Sequence, residues 1–163
     1  MTRKLLLFGL TLWVLAQTAG LSQSFMDTRI KNVQGHQSSI NKEAGKSKII
    51  VLDFWATWCK PCVKAIPKIS ELAKEFENKG VTFIGINTDS PRNTTKVRPF
   101  VSTHKIKYPV LLDIDQELMN EFLINAFPTL LIINRQGKIL YSHKGFSNGD
   151  EKLIKSEIEK LIG

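Results

Sequence analysis

Hydrophobic positions in this chain change period several times, and each change marks an element. Lys48 to Trp55 reads Lys-Ile-Ile-Val-Leu-Asp-Phe-Trp, a nearly unbroken apolar run. Such a run predicts a central strand covered on both faces. The period then becomes helical: Val63, Ile66, Ile69, Leu72, Ala73 and Phe76 fall on one stripe. Asn78-Lys79-Gly80 ends that helix. Val81 to Asn87 is a second β-rich run, broken by Asp89-Ser90-Pro91. A weaker helix over residues 94–104 carries Val97, Phe100 and Val101, and Tyr108 to Leu112 reads as a short strand. Asp115 is placed to cap a helix reaching Asn125, with Leu118, Met119 and Phe122 facing inward.

The last third contains a hairpin and a helix. Thr129 to Ile133 and Lys138 to His143 flank the turn Asn134-Arg135-Gln136-Gly137. Ser147 and Asp150 then open an amphipathic helix with Leu153, Ile154, Ile158, Leu161 and Ile162 as its apolar face. The order βα, βα, βα, ββα implies an α/β fold: a central mixed sheet with helices on both faces and an antiparallel hairpin at one edge.

The two ends of the N-terminal stretch differ from this domain. Residues 1–22 combine Arg3 and Lys4, an apolar run from Leu5 to Ala16, and small residues around Gly20-Leu21-Ser22. That is the form of a secretory signal peptide, with cleavage expected after Ser22 and an uncleaved anchor as the alternative. No cysteine lies there to carry a lipid. Residues 23–47 are a polar lead-in with Gly35 and Gly45 as turn signals, suited to a β-hairpin, and residues 48–163 form the domain. Either form of the leader exports the domain, to the periplasm or the outer side of a membrane.

A chain of 163 residues, 42% hydrophobic, is long enough for one domain with a real core. The net charge of +8 falls to +6 without residues 1–22. Its lysines are scattered, with no arginine-rich block, so nucleic acid is not an expected partner; a monomer with a solvated basic surface is.

The only two cysteines are Cys59 and Cys62, in Trp58-Cys59-Lys60-Pro61-Cys62. A disulfide across so short a loop removes little entropy from the unfolded chain, so it suits electron transfer better than stapling. Cys59 sits where the helix begins, facing unpaired N–H groups that favour a thiolate. It is the expected nucleophile and the more exposed sulfur. Lys60 adds positive charge, and Pro61 suits a first helical turn because it has no N–H to leave unpaired. Cys62, one turn on, is the expected resolving thiol.

Asp53-Phe54-Trp55-Ala56-Thr57-Trp58-Cys59-Lys60-Pro61-Cys62 resembles the active-site segment of thioredoxin-fold oxidoreductases. Pro67 stands where that fold kinks its helix, Phe127-Pro128-Thr129 resembles its cis-proline loop, and Gly145 the glycine after its last strand. The signal segment and the inserted helix and strand over residues 91–112, before the proline loop, make the exported TlpA/ResA group the nearest likeness. Two positions depart: many of that group carry Asn where this chain has Asp53, and the second-strand lysine of thioredoxin is replaced by Gly85.

The resemblance implies a three-layer thioredoxin-like fold and a thiol–disulfide oxidoreductase whose redox centre is the cysteine pair itself, without cofactor or metal. It implies reduction of disulfides in exported protein substrates, apocytochrome c in cytochrome c maturation among them, with a membrane or exported dithiol protein as electron donor. Asp53 would exchange a proton with Cys62; from spacing alone, a hydrated strand-end acid or helix cap is the preferred reading. Pro128, trans by default, becomes cis by resemblance. With Trp58, Phe127 and Thr129 it would bind the substrate chain. Core packing is the other reading of Phe127 and the preferred one of Trp55, and Thr57 reads as local packing. Two rival functions use the same residues. A copper carrier would add His104 or His143 to the two thiols. A peroxiredoxin-like peroxidase would need Thr three residues before its cysteine, where Ala56 stands. His36 has no suggested partner. A third rival, a thioredoxin-fold module that only binds, is disfavoured because both cysteines and the proline are kept.

Overall fold

The computed structural model describes residues 25–163, so the signal peptide expected over residues 1–22 lies outside the described residues. Seven strands of the described residues form one sheet. In chain order they are β1 (Ile30–Asn32), β2 (Gln37–Ser38), β3 (Ile49–Trp55), β4 (Val81–Asn87), β5 (Val110–Leu112), β6 (Thr129–Asn134) and β7 (Ile139–Lys144). The sheet order is β2-β1-β5-β4-β3-β6-β7. β3, β4 and β5 run parallel, joined by helical crossovers, while β6 and β7 add the antiparallel edge. β1 pairs antiparallel with both β2 and β5, which closes the other edge.

Among the described residues five α-helices cover the sheet: α1 (Ile40–Ala44), α2 (Lys60–Glu75), α3 (Thr94–Thr103), α4 (Glu117–Glu121) and α5 (Asp150–Ile162). Every residue of β3 is buried, as a strand between two helical layers requires. Ile49, Val51 and Trp55 face one core with Cys62, Ile66 and Ile69 of α2, Val97 of α3 and Ile154 and Ile158 of α5. Ile50, Leu52 and Phe54 face the other, with Phe25, Met26, Ile40 and Leu118. The alternation of strand side chains thus divides the molecule into three layers. α2 stops at Glu75, a little before the expected Asn78-Lys79-Gly80, with Phe76 as its C-cap; Asn78 and Gly80 then turn the chain with positive φ, 67° and 75°.

Three expectations need correction. Asp115 does not cap α4. Asp113 does, accepting from the N–H groups of Leu118 at 3.1 Å and Met119 at 2.8 Å. Gln116, at φ 58°, turns the chain so that the earlier acid reaches the helix start. α4 also stops at Glu121 rather than near Asn125, because Leu123 adopts φ 52° and leaves the helix. On α5, Ile154 and Ile158 are buried but Leu153 is 56% exposed and Ile162 39%. α5 touches the rest of the core along a narrow stripe, and Leu153 falls outside it. Asp150 does meet Ser147, accepting from its N–H at 2.7 Å, and also binds His143 at 3.0 Å.

Candidate active site

β3 delivers the chain to a short loop, Ala56 to Trp58, and α2 starts immediately after it. Cys59 is the residue that caps α2; its Sγ accepts from the Cys62 N–H at 3.2 Å. Pro61 lies in the first turn, where no intrahelical bond is lost. Cys59 and Cys62 are joined in a disulfide, with Cα atoms 5.2 Å apart. Cys59 is the more exposed of the two only narrowly, at 4% against 1%. Lys60 and Pro61 lie exposed beside them.

The loop is tied down from β4. Asp89 accepts from the Thr57 N–H and the Thr57 hydroxyl, each at 2.8 Å, and from the Asn87 amide, also at 2.8 Å. Asp89 is 1% exposed, so these three donors stand in for its water. Thr57 therefore does more than pack locally, and Asp89 is a site residue that the sequence left as a strand breaker.

Around Cys59 the surface is aromatic and apolar. Trp58 is 62% exposed and meets the half-buried ring of Phe127 edge-on, with centroids 5.7 Å apart. Phe127 also packs on both cores, in line with the core-packing reading. The Phe127–Pro128 peptide bond is cis. The Pro128 carbonyl accepts from the Gly145 N–H at 2.8 Å. Thr129 is fully buried and its hydroxyl donates to the Ala126 carbonyl at 2.8 Å, which fixes the same loop.

Asp53 is buried in mid-strand, on the β3 face shared by Val51 and Trp55 and hence by Cys62. Burial pushes its carboxyl from 3.8 up to about 6, while a hydrogen bond from Tyr108 pulls the other way. That bond, Tyr108 hydroxyl to Asp53 Oδ2, measures 3.0 Å. Burial and the adjacent Asp53 hold the Tyr108 hydroxyl well above the usual phenol range. Trp55 is core, as expected, but its Nε1 is buried without a hydrogen-bond partner.

The two histidines with a conceivable metal role are already engaged. His104 lies on the Phe100 ring at 4.1 Å, and His143 pairs with Asp150. Among the described residues no cluster of His, Cys, Asp and Glu is arranged to hold a metal ion. Among them, too, no helix is long and apolar enough to cross a membrane.

Similarity to known proteins agrees with this geometry. Residues 21–142 match the AhpC/TSA family. The thioredoxin-like protein YneN of Bacillus subtilis is 30% identical, the alignment covering 97% of this chain and 92% of YneN. The thiol-disulfide oxidoreductase ResA of Bacillus thuringiensis subsp. konkukian is 35% identical, across 61% of this chain and 57% of ResA. The match therefore spans just over half of ResA. Among solved structures, StoA from Bacillus subtilis superposes with a TM-score of 0.66 at 26% identity, covering 80% of this chain and 94% of StoA. The chain belongs to the AhpC/TSA family, and within it stands with the thiol-disulfide oxidoreductases of the ResA kind.

Proposed function

We propose that the protein is exported and reduces disulfides in other exported proteins through Cys59 and Cys62. The observation that carries this reading is the disulfide at the head of α2, with a buried carboxyl on the same face and an exposed aromatic surface beside it.

In the reduced protein the Cys59 thiolate attacks one sulfur of a substrate disulfide. The S–S bond breaks, the first substrate sulfur leaves as thiolate, and Cys59 holds the other in a mixed disulfide. Cys62 then gives its proton to the Asp53 carboxylate and attacks the Cys59 sulfur. The second substrate sulfur leaves, and the Cys59–Cys62 disulfide forms. Two electrons pass to the substrate. A membrane or exported dithiol protein returns them by the same exchange in reverse. Trp58 and Phe127 provide the contact surface for the substrate chain, with the Pro128–Thr129 loop behind them. Exported proteins with paired cysteines, an apocytochrome c among them, suit this surface.

A Cys62→Ala variant, expressed with its leader, tests the proposal. It should accumulate mixed disulfides through Cys59, recovered from the exported fraction and released by dithiothreitol. Absence of any such adduct, together with failure of the native protein to reduce a model disulfide, would overturn it. Rapid oxidation by micromolar peroxide, or tight copper binding lost in His104 or His143 variants, would favour the rival functions instead.

A further inference from the structure

Nothing in the motif explains how a carboxyl buried in a strand is held ready for a proton. Asp53 lies opposite Gly85 of β4 on one side and Leu130 of β6 on the other, neither of which can bond a carboxylate. Among the described residues its one hydrogen-bond partner is the Tyr108 hydroxyl, at 3.0 Å, and no cation pairs with it. The space for this partner comes from Gly85. A Cβ there would stand 3.1 Å from the Tyr108 ring and 2.9 Å from Trp55 Nε1. Gly85 accordingly admits the Tyr108 ring, and the neutral hydroxyl of that ring is what the carboxylate receives. Gly85 N–H also donates to the Pro109 carbonyl at 2.8 Å, which anchors the segment that carries Tyr108.

We propose that Tyr108 is the positioning residue for proton transfer at Asp53, its hydroxyl orienting the carboxylate toward Cys62 and setting the pH at which it takes the proton. This rests on the reading of Asp53 given above. The electrostatic surroundings are sparse, so one hydroxyl counts. From α2 and its cap the ionisable groups on this face are Cys62 and Cys59; β4 and β6 contribute none opposite Asp53. His104 is separated from Trp55 by the Phe100 ring, which stacks on Trp55 at 5.2 Å, and Lys107 beside Tyr108 is exposed. A donor that bonds the charged form favours it, and burial opposes it. Without the hydroxyl, burial acts alone, and the carboxyl keeps its proton to higher pH. It then spends more of its time already protonated at neutral pH, and the resolving step slows while the first attack by Cys59 does not.

Stopped-flow mixing of the reduced protein with a nitrothiobenzoate disulfide separates the two steps, since each releases one coloured thiolate. Asp53→Asn identifies the Asp53 limb in the pH profile of the second release by abolishing it. Tyr108→Phe should move that limb upward by about one to two pH units and leave the first release unchanged. Ring-fluorinated tyrosine, incorporated in a Tyr141→Phe background so that Tyr108 is its single site, donates more strongly and should move the limb down. Opposite displacements in these two proteins are not produced by a purely structural role, and the fluorinated protein decides the matter if Tyr108→Phe does not fold. An Asp53 limb that stays put in both overturns the role of Tyr108 alone. A limb that survives Asp53→Asn overturns the reading of Asp53 and this inference with it.

Discussion

The two faces of β3 are built by different rules. On one, Ile50, Leu52 and Phe54 are all fully buried against Phe25, Met26, Ile40 and Leu118, with no polar side chain of the strand among them. On the other, Ile49, Val51 and Trp55 alternate with Asp53, and the layer opposite contains a disulfide. That second face tolerates a buried carboxyl and an indole N–H without a partner. Both are costly features in a core. Both faces build core, but only the second gives up part of its packing to polar groups. Departures from good packing gather where function requires them.

Substitutions on the two faces should therefore fail in different ways. The largest effect belongs to the chemical face: Cys59→Ser should lower disulfide reduction by more than ~10³-fold, measured with insulin as substrate, because the thiol that remains, Cys62, is buried inside α2 and cannot begin the exchange. Residual activity near the native level would mean that the site lies elsewhere. On the sealed face, Leu52→Ala should remove about 2–5 kcal/mol of stability by leaving a cavity at a fully buried position. Denaturant unfolding reads that loss. The reduction potential of the cysteine pair, measured against glutathione under folding conditions, should stay where it was. A large change in potential would show that the two faces are not independent.

Asp53 sharpens the contrast through pH. Its carboxyl is raised from 3.8 to about 6 in the folded protein, so between these values the folded state holds a proton that the unfolded chain has lost. Stability from this group is therefore full below about pH 4 and declines as pH rises to about 6. The decline amounts to about 3 kcal/mol, and Asp53→Asn should abolish it. The difference in unfolding free energy between native protein and Asp53→Asn, followed across this range, isolates Asp53 from Asp113, which burial also raises. A difference that does not vary with pH would mean that Asp53 is not held in a dry environment.

The sealed face was legible in the sequence because its signal is local. Nearly unbroken apolar runs and period-3.6 spacings marked the strands and helices, and their order gave the three layers. The chemical face was legible as far as its motif reached: Cys59, Cys62 and Asp53 lie within ten residues of one another. What escaped lies far away in sequence. Tyr108 meets Asp53 across 55 positions, and Asp89 meets Thr57 across 32. Neither pairing leaves a periodic trace. Tyr108 looked like a strand residue, and Asp89 like a turn former. Gly85 was noticeable as a missing lysine, but only the structure shows the aromatic ring that needs the space. The cap of α4 escaped for a backbone reason, since the positive φ of Gln116 makes Asp113 rather than Asp115 the acid that reaches the helix start.

The Asp89 clamp offers the finest test, because it lies between the faces' two modes of failure. Thr57 gives Asp89 two donors, a backbone N–H and a hydroxyl, each at 2.8 Å. Thr57→Ala removes only the hydroxyl; the backbone bond and the Asn87 bond remain. The loss should be about 1.5 kcal/mol, the lower end for a bond to a carboxylate, since Thr57 is partly exposed and water can replace it. Asp89→Ala strips all three bonds and leaves the Asn87 amide unsatisfied in a buried site, so its loss should be larger. If the clamp serves the chemistry, both variants should also loosen the loop that presents Trp58, raising KM for a protein substrate in the same order while the rate toward a small aryl disulfide holds. Equal losses of stability in the two variants, with KM unmoved, would place Asp89 with the sealed face, as a structural bond that happens to lie beside the cysteines.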